Sequence, residues 1–445
     1  MMALAEAALS PPARTEQIPS YSWVVLFLLC GVYTFNWMDR YVLVILLEPI
    51  RESLGASDTQ MGLLSGFTFS VIYSLAGFPI ARWADRGSRR TIMAVALAAW
   101  SLMTTLSGFA RGFGTLALAR AGVAVCEAGC SPPAHSLISD YFPLHRRGTA
   151  FAIYSLGISF GIWLGLSVGG AVNAHYGWQA AFFVVGLPGL LMAVVVRFAI
   201  REPRRGQHDT PGNDALHRHY SLSEASRTMW RRRTFVLVTL GLGLASFAGT
   251  GFEFWTPTYL IRSLGLSTEK VGAMSGMIEG VAGLLGTLGA GVLADRFASR
   301  DPRWYLWFPL IGIVLMIPAE LMFFYVGGKF LYVYYFIAII GTSAYSAPLF
   351  SVGQSLLPPR LRALGASTML FVLNMLGSGA GNFSVGLLSD LLSPHFGSDS
   401  LRHAIVLVQF GALFGITSIV FAARHLPREL QAMRAAALDV PEATA

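Results

Sequence analysis

The chain has 445 residues, 54% of them hydrophobic and only 13% charged, with a mean hydropathy of +0.57. Soluble domains carry about 25% charged residues, so these proportions exclude an ordinary water-soluble fold and place the chain in lipid. The net charge of +8 follows from loop arginines retained on one side of a membrane and calls for no nucleic-acid partner.

Residues 1 to 22 contain the polar, proline-bearing segment SPPARTEQIPS and read as a cytoplasmic tail. The apolar run after it is too long for the h-region of a cleaved signal peptide. A spanning helix needs about 20 predominantly apolar residues. Such runs fall at 23–50, 58–81, 91–110, 114–138, 149–173 and 179–200. The hydrophilic stretch 201–233 reads as a cytoplasmic linker, and six more runs follow at 234–261, 268–293, 304–326, 331–356, 364–391 and 401–424. A second cytoplasmic tail occupies 425–445. The runs are continuous rather than alternating, which argues against a β-barrel. The expected fold is an all-α membrane protein of twelve transmembrane helices, in a six-helix bundle at 23–200 and another at 234–424.

With the N-terminus inside, 23 of the 32 basic residues fall in cytoplasmic pieces, six outside and three within spans. Both termini are therefore expected in the cytoplasm. The short loops suggest a bacterial inner membrane.

Internal repetition supports the division. ARWADRGSRR at 81–90 follows the second run and GVLADRFASR at 291–300 follows the eighth, an offset of 210. PLHRRGTA from 143 and PRLRALGA from 359 likewise precede the fifth and eleventh. Corresponding loops in corresponding places are the trace of two parallel repeats. These paired loops resemble the signature loop of the major facilitator superfamily, although Ala81 stands where its glycine is expected. GWQAAFFVVGLPG at 177–189 is similar to the superfamily's sixth-helix entry. The Asp39-Arg40 pair, with LARAGVAVCEAGCSPPAHSLISDYFP at 118–143, resembles the Spinster family within it. That resemblance implies export of lysophospholipid or sphingolipid, in which the first and fourth helices flank a substrate cavity.

A charge at the centre of a membrane helix costs roughly 2.5 to 3.5 kcal/mol on insertion scales, so Asp39 and Arg40 need partners. At 1.5 Å per residue, Asp39 lies roughly 16 Å below the outer helix end, between Arg120 at about 9 Å and Glu127 at about 20 Å. Asp39 or Glu127 can meet Arg40 or Arg120 there. One reading is a permanent ion pair holding the N-terminal bundle together. The other makes the group a proton and substrate path, in which protonation of a carboxylate frees an arginine for an anionic substrate. Glu253 in GTGFEFWTPTYL, the repeat counterpart of the first helix, is a further coupling candidate, whereas Glu279 and Glu320 read as neutral structural groups.

Tyr33, Phe35, Trp37, Tyr41, Trp255 and Asn374 are candidates to line the cavity. Asp85, Arg86, Arg90, Asp295 and Arg296 are candidates for a cytoplasmic gate, capping helix ends or pairing across the bundles. Glycines at 157, 161, 165 and 169 permit close helix approach. Cys126 and Cys130 lack the further ligands a metal needs, and no cofactor is expected. GSGAGN at 377 lies within a span and no GxxxxGK[ST] occurs, so the chain has no ATP-hydrolysing motif.

The reading is a monomeric secondary transporter, not an enzyme, moving an amphipathic anion by alternating access with protons as coupling ions. A small-organic-anion or drug efflux carrier is the alternative within transport. A passive lipid scramblase or a membrane sensor is the alternative outside it.

Overall fold

The computed structural model describes residues 18–206, 222–358 and 361–438. Most of the N-terminal tail, the middle of the linker and the last seven residues lie outside them. The described residues are helical throughout their ordered elements. The first six membrane helices are α1 (Ser20–Leu54), α2 (Asp58–Ala84), α3 (Arg89–Ser107), α4 (Phe113–Tyr141), α5 (Leu144–Tyr176) and α6 (Trp178–Ala199). A linker helix, Leu222–Arg231, leads into α7 (Arg233–Arg262), α8 (Thr268–Ala298), α9 (Trp304–Tyr325) and α10 (Gly328–Ser355). The last apolar stretch, Arg362–Gln431, is long enough for two crossings. The turn Gly397–Asp399, with Gly397 at φ 55°, divides it into α11 (362–396) and α12 (400–438). The chain therefore has the expected all-α architecture, α1–α6 packed as one bundle and α7–α12 as the other.

Glycine sets the closest approaches. A Cβ on Gly161 would stand 2.5 Å from Trp37 Cβ, and one on Gly165 would stand 2.7 Å from Met38 O, so the glycine face of α5 seats α1 backbone to backbone. Further along α5 the partner changes. Gly170 faces Thr268 O and Gly272 faces Leu166 O, each at Cβ distances near or below 2.3 Å, which brings α5 of one bundle against α8 of the other. α2 and α11 each contain a π-helical stretch, Leu63–Phe67 and Leu373–Gly381, and these meet through Gly66 and Ser378 O.

Among the described residues, the hydrogen bonds and ion pairs joining the two bundles lie at mid-depth or at the end away from the linker. None joins them at the linker end. Among the described residues, the polar contacts between the bundles thus gather at mid-depth and at the far end.

The linker's first residues are bound to the N-terminal bundle. Buried Arg89 donates from Nε to Glu202 Oε1 at 2.7 Å, and its Nη1 pairs with Asp140. Ser88 Oγ and the Arg90 backbone N–H donate to Glu202 Oε2, while Arg205 donates to the carbonyls of Ala84 and Gly87. Burial raises the Glu202 carboxyl, but Arg89, the Arg90 amide and Ser88 together hold it below the usual glutamate range. A depressed folded pKa contributes stability present above the ordinary value of about 4.3 and lost as pH falls through the folded value. Glu202→Gln should therefore lower the melting temperature at neutral pH, with wild type and variant converging in acid. Parallel melting curves at every pH would refute the clamp.

Candidate functional site

Adjacent residues on a helix point about 100° apart, and Asp39 and Arg40 accordingly face different neighbours. Asp39 turns into the N-terminal bundle and is 2% exposed. It accepts from Arg120 Nη1 at 3.0 Å and from Thr104 Oγ1 at 2.5 Å, in a closed niche with Phe35, Trp100 and Val185. Arg120 is 3% exposed, so this pair is dry. Arg40 turns the other way. Its Nε donates to Glu127 Oε2 at 2.7 Å, and its guanidinium lies 4.8 Å from the Phe69 ring, 4.9 Å from Tyr73 and 5.4 Å from Trp37. At 21% exposure it is the accessible member of the four, while Glu127 is fully buried. Arg120 and Glu127 lie two turns apart on α4, so each pairs with one of the two neighbours on α1.

Tyr33, Trp37 and Tyr41 recur every fourth residue on α1 and form an aromatic strip beside Arg40. Tyr33 meets Trp37 at 6.2 Å and stacks on Tyr154 at 4.4 Å, and Trp37 lies 5.9 Å from Tyr41. Tyr41 reaches the other bundle, its ring 5.5 Å from Phe254 and its hydroxyl donating to Glu253 Oε1. Arginine above aromatic faces, with one carboxylate partner, presents both halves of an amphipathic anion's requirements: a bidentate donor for its head and an apolar wall for its tail.

The other sequence candidates are more dispersed. Trp255 is packed in the core with its Nε1 donating to Asn382 O at 3.1 Å, and Asn374 sits half-buried in the π-helical stretch of α11. In the loops, Asp295 accepts from Tyr305 of its own bundle at 2.7 Å. Arg90 donates to Ile200 O at 3.2 Å, Arg86 and Arg296 are exposed, and the side chain of Asp85 lies outside the described residues. Pairing of Asp295 across the bundles is thus not made in this conformation.

Sequence reasoning missed Phe69, Tyr73 and Thr104, whose chemistry is ordinary until the helices assemble. It also missed a latch at the far end. Arg262, ending α7, donates from Nε to both oxygens of Glu48 at 3.0 Å, and from Nη1 and Nη2 to Asp58 at 2.7 Å. Both carboxylates are buried. Arg51 also donates to Glu48, and Ser389 of α11 to Asp58. Asp390 of α11 accepts the first backbone amides of α2, those of Asp58 and Thr59, at 3.1 and 2.8 Å. One bundle thus caps a helix of the other. Glu48 and Arg51, three residues apart at a helix end, were the available signal.

Charge-assisted hydrogen bonds contribute about 1.5 to 3 kcal/mol each. Arg262→Gln should therefore shift the population away from the far-end-closed state by about tenfold or more. Spin-label distances between the linker ends of the two bundles measure this, and an unchanged distance distribution would remove the latch from the gating scheme.

Comparison with known proteins follows the same lines. The Major Facilitator Superfamily profile matches residues 29–382. An MFS-type efflux pump of Mycolicibacterium smegmatis is 33% identical over 92% of this chain and 94% of its own. A sphingosine-1-phosphate transporter of Danio rerio is 25% identical over 88% of this chain and 83% of its own. The crystal structure of a bacterial homolog of the human lysosomal transporter Spinster, inward-facing and unoccupied, superposes with a TM-score of 0.85 at 29% identity, covering 92% of this chain and 98% of that one. On fold, sequence and the charges of its first and fourth helices, this multi-pass membrane chain belongs to the Major Facilitator Superfamily and is of the Spinster type.

Proposed function

We propose that the protein is a proton-coupled secondary transporter of an amphipathic, anionic, lipid-like substrate of the lysophospholipid or sphingolipid-phosphate class, working by alternating access. The observation that carries this reading is Arg40, partly exposed, walled by Trp37, Phe69 and Tyr73, with Glu127 as its ion-pair partner. Protonation of Glu127 releases the guanidinium to the substrate's anionic head, and the rings receive its chain. Re-pairing after proton loss neutralises the emptied carrier for its return. The dry Asp39–Arg120 pair supports this site from behind.

The two functional bundles are 23–200 and 234–424, tethered by the linker 201–233. The linker end faces the cytoplasm, as the distribution of basic residues favours, and the chain acts as a monomer in a bacterial inner membrane. The name of the Mycolicibacterium relative favours a second reading, efflux of a small organic anion or drug through the same site.

Reconstitution into proteoliposomes decides between these. Counterflow of labelled sphingosine 1-phosphate, stimulated by a pH gradient, is the expected result. Saturable, gradient-driven efflux of organic anions without lipid counterflow would establish the second reading. Flux of the lipid that ignores the gradient and shows no counterflow would make the protein a scramblase.

A further inference from the structure

The C-terminal bundle holds within its helices three glutamates that the Arg40–Glu127 scheme does not use. Glu279 of α8 and Glu320 of α9 are 2% and 1% exposed, and Glu253 of α7 is half-buried. Among the described residues none of the three forms an ion pair. Each of two has a tyrosine donor: Tyr41 to Glu253 and Tyr335 to Glu279. Phe252, beside Glu253, lies 5.8 Å ring to ring from Tyr335, the donor to Glu279.

Glu279 Oε2 has no hydrogen-bond partner, and Ser275, one turn earlier on α8 and fully buried, faces the Tyr335 hydroxyl. An unpartnered polar atom at such a depth is costly unless something occupies it. A metal ion does not suit the place. Among the described residues no group of three His, Cys, Asp or Glu is set to hold one, and hard cations want about six or more oxygens. An unpaired carboxylate sealed at this depth is far costlier than a neutral acid. The ligand whose binding removes that cost is a proton.

We infer that Glu279, with Glu253 beside it, forms a second proton-carrying site in the C-terminal bundle, separate from the Arg40–Glu127 pair. The inference rests on proton coupling as proposed above and adds a second proton to the cycle. The titratable groups facing the site are Tyr41 of α1 and Tyr335 and Tyr345 of α10; Glu320 of α9 is buried separately, without a hydrogen-bond partner. The helices α5, α11 and α12 meet this region through Ser159, Trp163, Val385 and Val408.

The Tyr41–Glu253 hydrogen bond is the polar link between the site and the N-terminal bundle. Parting of the bundles breaks it and opens the acids to the other side. The carboxylate then gains its O–H bond from water on one side of the membrane and gives the proton to water on the other.

The test uses the full chain in proteoliposomes with the membrane potential clamped at zero and sphingosine 1-phosphate as probe. A pH step of one unit multiplies the limiting probe ratio by about tenfold per coupled proton. Wild type should reach about a hundredfold and Glu279→Gln about tenfold. A hundredfold ratio in the variant, or tenfold in wild type, overturns the second site. If wild type ignores the gradient altogether, the coupling reading fails, and infrared spectroscopy of the same samples still decides the site. The carboxylic-acid carbonyl band lost in Glu279→Gln should titrate with bulk pH in wild type, with its midpoint moved by Tyr335→Phe. A band that does not titrate, or a midpoint that Tyr335→Phe leaves in place, overturns it.

Discussion

Glu127→Gln should abolish net, gradient-driven accumulation while leaving one-for-one exchange of substrate intact. The amide is close in size to the acid, so the packing around α1 and α4 survives, but it carries no charge and cannot reclaim Arg40. The variant therefore imitates the protonated carboxyl permanently. Arg40 stays available at the centre of the Trp37, Phe69 and Tyr73 rings, and the re-pairing of guanidinium with carboxylate that neutralises the emptied carrier for its return is gone. Losing a charge-assisted competitor of about 1.5 to 3 kcal/mol should tighten binding of an anionic lipid by about 10- to 100-fold. Tighter binding with preserved exchange and no net flux is a combination that a merely misfolded variant does not give. Arg40→Gln supplies the opposite control, with binding and exchange both lost. The measurements are equilibrium binding of sphingosine 1-phosphate in detergent, and counterflow and net uptake in liposomes. Net uptake at the wild-type rate by Glu127→Gln would remove Glu127 from the coupling scheme.

What was legible beforehand divides along a physical line. Hydropathy is a property of single residues summed along the chain, so all twelve crossings were visible, including the two that the structure separates only by the turn Gly397–Asp399. The glycine period on α5 was visible too, because a helix face is a property of one helix. Partner choice is not. The depth count placed Asp39, Arg40, Arg120 and Glu127 in one layer but left either pairing open, since the azimuth of α1 relative to α3 and α4 is set by packing such as Trp37 and Met38 against Gly161 and Gly165. Likewise Arg51 and Arg262 were counted only as charges outside the membrane. Arg262 meets Glu48 and Asp58 from 214 and 204 residues away, Asp390 meets the amide of Asp58 from 332 residues away, and composition holds no trace of that meeting. Asp295 shows the converse: a legible repeat whose partner in the structure, Tyr305, belongs to its own bundle.

The division between a working pair and a supporting pair predicts how a double-mutant cycle at Asp39 and Arg120 will behave. Both groups are almost fully buried and joined at 3.0 Å, so removing one leaves the other as an uncompensated charge. Asp39→Asn or Arg120→Gln alone should cost about 3 to 5 kcal/mol of stability. Thr104 would still donate to the asparagine carbonyl, but its neutral hydroxyl does not compensate the charge of a stranded guanidinium. The double variant strands no charge, and buried ion pairs replaced by neutral groups of similar volume are often tolerated at little cost. It should therefore regain most of the lost stability, with a coupling energy well above the roughly 0.5 kcal/mol expected of independent sites. Because Arg40 and Glu127 are untouched, gradient-driven transport should return with it. Thermal unfolding and proteoliposome uptake from one preparation read both quantities. A double variant that is stable yet uncoupled would make Asp39 a proton carrier in its own right, and the four charges of α1 and α4 would then act as one titrating unit rather than as a switch braced by a fixed pair.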